Sequence, residues 1–158
     1  MSEKRIRAVG ILIKNDRVLL IRRTKEGKKF WVLPGGGVEE NEKVEKAVVR
    51  EVEEEASIKC KIVKLLYTHI YPDLEHKQFY YLCKHISGNP KLGEYNEFHT
   101  MEEKDQTYEP VWVKIEDLPK KLLYPLEIRD WLIKDYRANF KDTPRTATLK
   151  STDLCQEL

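Results

Sequence analysis

Three carboxylates, Glu51, Glu54 and Glu55, stand three and four residues apart in the stretch AVVREVEEEASI. On a helix, residues so spaced share one side. Like charges placed there repel by about 0.2–0.5 kcal/mol per pair. A divalent cation reverses that sign. Magnesium takes hard oxygen ligands and is commonly held by a few carboxylates together with substrate phosphates. Arg50 is placed to pair with one of the carboxylates and fix its rotamer. Gly35, Gly36 and Gly37 precede the segment and let the backbone approach a ligand closely. Glutamate-rich helix faces are also ordinary solvated surface, so spacing alone leaves a metal centre and a bland acidic face both open.

The elements around these residues must bring them together. Asn41 reads as the N-cap of a helix from about Glu42 to Ala56. On it Val48, Val49, Val52 and Ala56 make an apolar stripe that can pack on a sheet, while Glu45 and Glu53 point elsewhere. Upstream, RIRAVGILIK and VLLIRR flank the turn NDR as a hairpin. GKKFWVLPGGG reads as a loop, a short strand and a glycine loop. Downstream, IKCKIVKLLYTHIY and HKQFYYLCKHIS read as strands joined by the turn residues PDLE. A long polar connection, GNPKLGEYNEFHTMEEKDQTYE, then leads to a short strand, PVWVKI. In YPLEIRDWLIKDY the apolar residues Leu126, Trp131, Leu132 and Ile133 have helical spacing, and Pro125 suits the first helical position. Strands on both sides of an early helix, followed by a late helix, predict a mixed sheet with helices on its faces.

The chain of 158 residues suffices for one domain with a real core. Hydrophobic residues are 41% and charged residues 35%, a globular balance. A formal net charge of +2 argues against a broad basic surface, so neither DNA nor RNA binding is expected. Cys60, Cys83 and Cys155 form no disulfide framework and no zinc-ligand spacing, which points to a reducing, cytoplasmic setting. The start, MSEKRIRAVGILIKND, is too short and broken in its apolar run for a signal peptide or membrane span.

The segment from Gly36 to Ile58 resembles the box of the Nudix hydrolases, G-x5-E-x7-R-E-U-x-E-E-x-G-U with U a bulky aliphatic residue. Gly36, Glu42, Arg50, Glu51, Val52, Glu54, Glu55 and Ile58 fill its positions, and Ser57 stands where the pattern ends on glycine. The later EPVWVKIEDLP also looks like this MutT-like family. The resemblance implies an α+β, α/β/α sandwich, the Nudix fold with a mixed β-sheet between helices. It would occupy residues 1–140, leaving a polar segment, 141–158, packed on the domain or on a partner in a homodimer. Ser57 removes no carboxylate. If it holds a left-handed helix end, it costs about 1 kcal/mol against glycine.

The implied activity is magnesium-dependent pyrophosphohydrolysis, with manganese as a substitute. The substrate would be a nucleoside diphosphate derivative, for example a modified nucleoside triphosphate, ADP-ribose or a dinucleoside polyphosphate. A non-catalytic nucleotide sensor is the alternative. By the match, Glu51, Glu54 and Glu55 ligate the metal and the Gly36 carbonyl adds a ligand. Arg50 orients Glu51 or Glu55, and Glu42 is structural. The general base is a box glutamate or one of Glu94, Glu97, Glu102 and Glu103, with Glu97 preferred. Arg22 and Arg23, at a strand end, are candidates for substrate phosphates, together with Gly35, Gly36 and Gly37. Tyr71, Tyr80, Tyr81, Phe98 and Trp112 are candidates for base stacking, against core packing as the simpler role. His69 and His76 have no metal-ligand spacing.

Overall fold

The β-branched run near the start extends as β1 (Arg5–Lys14). Asn15 and Asp16 then take positive φ of 51° and 62°, which turns the chain tightly into β2 (Arg17–Lys25). The computed structural model describes residues 5–91 and 106–150. Further along lie β3 (Lys28–Val32), β4 (Gly35–Gly37), α1 (Val44–Ala56), β5 (Lys59–Tyr71) and β6 (His76–Ser87). A short 3-10 turn, Pro72–Leu74, joins the last two. After the undescribed stretch come β7 (Gln106–Lys114), a 3-10 turn (Ile115–Lys120), β8 (Leu123–Tyr124), α2 (Leu126–Arg137) and β9 (Arg145–Thr148).

The first hairpin pairs only at its tip, Ile13 with Val18 and Lys14 with Arg17. Beyond the tip its strands part. β1 runs parallel to β6 from Arg5 to Leu12 and antiparallel to β4 through Arg7–Gly37, Ala8–Gly36 and Val9–Gly35. β2 pairs with β3 on one side and β7 on the other. The result is a mixed, curled sheet in the order β8-β3-β2-β1-β6-β5-β9. Alternation along β1 assigns its faces. Ala8 and Leu12 pack with Ala47, Val48, Val52 and Ala56 of α1. Val9 and Ile11 pack with Leu66, Tyr67 and Tyr80 and with Ile128 and Leu132 of α2. The sheet therefore lies between two helices. Each large side chain fully buried beneath them contributes roughly 1.5–3 kcal/mol.

Several local expectations change. The three glycines form a strand rather than a loop, because the edge of β1 offers them partners. The first helix starts at Val44, with Lys43 at the capping position, and Asn41 does not cap it. Asn41 adopts φ 64° in a turn where Glu42 accepts the Glu39 N–H. The stripe buries Ala47 fully, while Val49 is only partly covered. Pro125 precedes α2 at its capping position. Part of the polar C-terminal segment is ordered: β9 runs parallel to β5, Tyr67 to Ile70 facing Arg145 to Thr148. Ser57 ends α1 in the left-handed region, φ 58° and ψ 33°, its N–H bonded to the Glu53 carbonyl.

Candidate active site

Glycines and glutamates are pressed together because α1 crosses the edge where β4 lies on β1. A Cβ on Gly36 would sit 2.5 Å from the Glu51 carboxylate. One on Gly35 would sit 2.6 Å from the Ala8 carbonyl oxygen. Only glycine admits this approach. The backbone N–H of Gly35 donates to Glu55 Oε2 at 3.0 Å. So the glycine strand touches two of the three carboxylates directly.

Arg50 organises the exposed side of this cluster. Its Nε and Nη2 grip Glu42 in a bidentate pair at 2.8 and 2.9 Å. Nη1 donates to Glu51 at 2.9 Å and to Glu54 at 3.2 Å, and Nη2 donates to the Gly37 carbonyl at 3.0 Å. The expectation that Arg50 orients Glu51 is met in geometry. Glu55 shows no such contact among the described residues; its partner is the Gly35 amide, because it points into the sheet rather than along its rim. The Glu42 carboxyl is drawn down to about 2, chiefly by the Arg50 hydrogen bond. Glu42, expected to be structural, is Arg50's closest partner.

The inner carboxyls behave oppositely. Glu55 is 8% exposed. Burial pushes its carboxyl up to about 8, and the neighbouring charges of Glu51 and Glu54 add to this against the Gly35 hydrogen bond and the Arg7 charge. Glu51 is raised too, by burial first, with Arg50 and Arg7 opposing. Arg7 was not among the sequence candidates. It enters because it stands opposite Gly37 in β1, a juxtaposition that spacing along the chain does not show. Glu53 is exposed, outside this contact set.

A divalent cation fits the chemistry of this donor set: hard carboxylate oxygens on Glu51, Glu54 and Glu55, the first and last desolvated, beside a glycine strand. As they stand, the described residues do not close into a cluster of three metal-ligating side chains. Arg50 bridges Glu51 and Glu54.

The remaining candidates lie apart from this cluster. Arg22 faces Glu109 at 3.7 Å. Arg23 lies over the rings of Phe30 and Tyr108, 5.1 and 4.3 Å from their centroids, and donates to the Tyr108 hydroxyl. Neither arginine has a described contact with the α1 carboxylates. Tyr71 and Tyr80 are 1% exposed and are core rather than stacking surfaces. The Tyr81 hydroxyl donates to Glu45, and Trp112 packs edge-on with His85. Glu94, Glu97, Phe98, Glu102, Glu103 and Cys155 lie outside the described residues.

Comparison with known proteins places the chain. Residues 4–133 match the family model of the NUDIX domain. An ADP-ribose pyrophosphatase of Methanocaldococcus jannaschii is 33% identical over 132 residues, covering 80% of this chain and 69% of that protein. A diphosphoinositol polyphosphate phosphohydrolase 2 of Mus musculus is 32% identical over 107 residues, 68% of this chain and 55% of that protein. The chain thus spans only about half the length of the mouse relative. Among solved structures, a MutT NUDIX hydrolase from Burkholderia pseudomallei is 31% identical with a TM-score of 0.59, covering 80% of this chain and 95% of the other. A NUDIX hydrolase from Nitrosomonas europaea shares the fold at a TM-score of 0.71 and 18% identity, covering 94% and 81%.

Proposed function

The chain belongs to the Nudix family of hydrolases acting on phosphoric anhydride bonds, and from that premise we propose that it is a magnesium-dependent pyrophosphohydrolase of nucleoside diphosphate derivatives. The observation that carries this reading is Glu55: a buried carboxyl, raised to about 8, beside Glu51 and Glu54 and against a glycine strand. Such a group is costly to the fold unless a cation or a proton answers it. The names of the relatives, an ADP-ribose pyrophosphatase and a diphosphoinositol polyphosphate phosphohydrolase, support cleavage of a diphosphate linkage.

Glu51, Glu54 and Glu55 would hold magnesium, with the Gly36 carbonyl as a further oxygen. Bound there, the ion neutralises phosphate charge and lowers the pKa of a coordinated water. The protein's own part is preorganisation. Arg50 ties Glu42, Glu51 and Gly37 together, which cross-links the helix to the glycine strand. The Gly35 N–H fixes one oxygen of Glu55 and leaves the other to accept or hold a proton near neutral pH. Glu97 is kept as the downstream candidate for general base. Gly35, Gly36 and Gly37 offer backbone to the substrate; Arg22 and Arg23 would serve it only where it extends toward β2 and β3.

The test is a panel of ADP-ribose, sugar nucleotides, dinucleoside polyphosphates and normal and oxidised nucleoside triphosphates, incubated with magnesium or manganese and with products identified. Two phosphorylated products from a panel member are expected. No turnover by the folded protein, with retained nucleotide binding, would favour the sensor reading.

A further inference from the structure

The charges of this nearly balanced chain are unevenly placed. Cys60 of β5 and Cys83 of β6 are buried beneath α1, so the residues flanking them turn to the opposite face of the sheet. Those neighbours include Lys59, Lys61 and Lys84, all exposed. Lys61 stands directly opposite Lys84 in the register, and Lys59 lies two residues from Lys61 on the same face. One step inward, at a bulge, Val63 and Lys64 share the place opposite Leu82. Lys64 Nζ donates to the Phe140 carbonyl at 3.1 Å, which joins the row to the end of α2. There Lys134, Arg137 and Lys141 line a groove of about 520 Å³.

Basic residues in the last turn of α2 answer the helix dipole and need no further reason. The sheet lysines have no such reason. Like charges directly opposite on neighbouring strands destabilise a sheet. None of Lys59, Lys61 and Lys84 has a carboxylate partner among the described contacts. Neither strand segment, 59–64 or 82–87, contains an acidic residue. Asp130, on the wall of the α2 groove, is taken up by Arg129 at 3.0 Å. Aliphatic side chains are exposed in the same place. Ile86, two residues beyond Lys84, is 59% exposed, and Val63 is 52% exposed.

We infer that this row docks on an anionic lipid bilayer, with Lys59, Lys61, Lys64 and Lys84 against the headgroups and Ile86 and Val63 entering the interface. A bilayer answers both features at once: clustered lysines are drawn to a negative surface, and aliphatic side chains leave water. A nucleic acid would neutralise the lysines but leave Ile86 and Val63 in water. The two strand segments also hold no Phe, Tyr or Trp on which a base could stack. The α1 carboxylates lie on the other face of the sheet, so docking leaves them open to a substrate in solution.

Sedimentation with sucrose-loaded vesicles tests it. At low salt, phosphatidylcholine vesicles with about 30% phosphatidylserine should bind the protein at least about tenfold more strongly than phosphatidylcholine alone. The difference should vanish at about 0.5 M salt. Lys61→Glu should weaken the partition about tenfold or more. It turns a repulsive cross-strand pair into an attractive one, so its thermal midpoint should not fall and lost binding is not unfolding. Should that midpoint fall, Lys61→Gln and Lys84→Gln decide instead, each expected to weaken the partition about fivefold. Ile86→Ser should weaken it about threefold. Lys28→Glu makes the same charge change on β3, away from the row, and should alter the partition by less than about twofold. No preference for anionic vesicles overturns the inference. Equal loss in Lys28→Glu also overturns it, since binding would then follow net charge alone. A labelled single-stranded RNA that binds more tightly than the vesicles, fails to bind Lys61→Glu and still binds Ile86→Ser would assign the row to nucleic acid instead.

Discussion

Two buried carboxylates sit on opposite faces of the same sheet and are treated in opposite ways. Asp135, on α2, is 0% exposed, and burial alone would raise its carboxyl. Arg145 answers it through Nη2 at 2.7 Å and Nε at 2.9 Å, and the Tyr67 hydroxyl donates at 2.8 Å, so the net shift is downward. Glu55, on α1, receives one backbone N–H and the repulsion of two neighbouring glutamates, and is raised to about 8. A buried charge whose lone pairs are all satisfied is scaffold. A buried charge left short of positive partners is a place where a cation or a proton belongs. The side of the molecule that carries α2 locks β9 onto the domain, and the side that carries α1 holds its carboxylates in readiness.

The contrast breaks most visibly at Arg145. Arg145→Met leaves Asp135 charged and buried without its ion pair, and should cost about 3–5 kcal/mol in denaturant unfolding. The double change Arg145→Met/Asp135→Leu should recover most of that loss. If Arg145→Met is nearly neutral, the pair is not holding the C-terminal strand. On the α1 side the effect should fall on activity instead. Glu54→Gln and Glu55→Gln should each reduce magnesium-dependent turnover by at least about a hundredfold, near 3 kcal/mol of barrier. Without magnesium neither should lower the thermal midpoint, since each removes a like charge from one helix side. Glu53→Gln is the control and should leave both quantities unchanged; equal damage there would refute the assignment of the three-carboxylate side.

His69 sharpens the comparison, because it is an unsatisfied group on the scaffold side. It is 0% exposed, and burial lowers its ring from 6.5 to about 4. Glu127 Oε1 lies 2.9 Å from its Nε2 but out of line for a hydrogen bond, so burial dominates. The unfolded chain binds the proton more readily between these two values. Stability should therefore fall as pH drops below about 6.5, with the full loss, roughly 3 kcal/mol, reached below about 4. His69→Phe should flatten that part of the stability–pH profile; an unchanged profile would assign the slope to other groups. The smallest effect is expected at Ser57. With φ at 58°, Ser57→Gly should stabilise by about 0.5–1 kcal/mol and leave turnover within a few-fold. A thermal midpoint that does not rise would mean the serine is not strained there.

Much of this was readable from spacing, because helix and strand periodicity are local properties. The common side of Glu51, Glu54 and Glu55, the first hairpin around Asn15 and Asp16, and the helical run from Leu126 all follow from residues within a few turns of one another. The left-handed end at Ser57 followed from the family pattern plus the steric preference for glycine there. What stands opposite a residue is a different matter. Glu55's raised carboxyl depends on how deeply α1 settles against β4. The Asp135–Arg145 pair depends on β9 returning to β5, and Arg7 stands beside Gly37 only because β4 folds back antiparallel onto β1. Desolvation and pairing are set by neighbours across the sheet, and the sequence by itself determined which residues were available to meet, while only the tertiary structure decided which of them did.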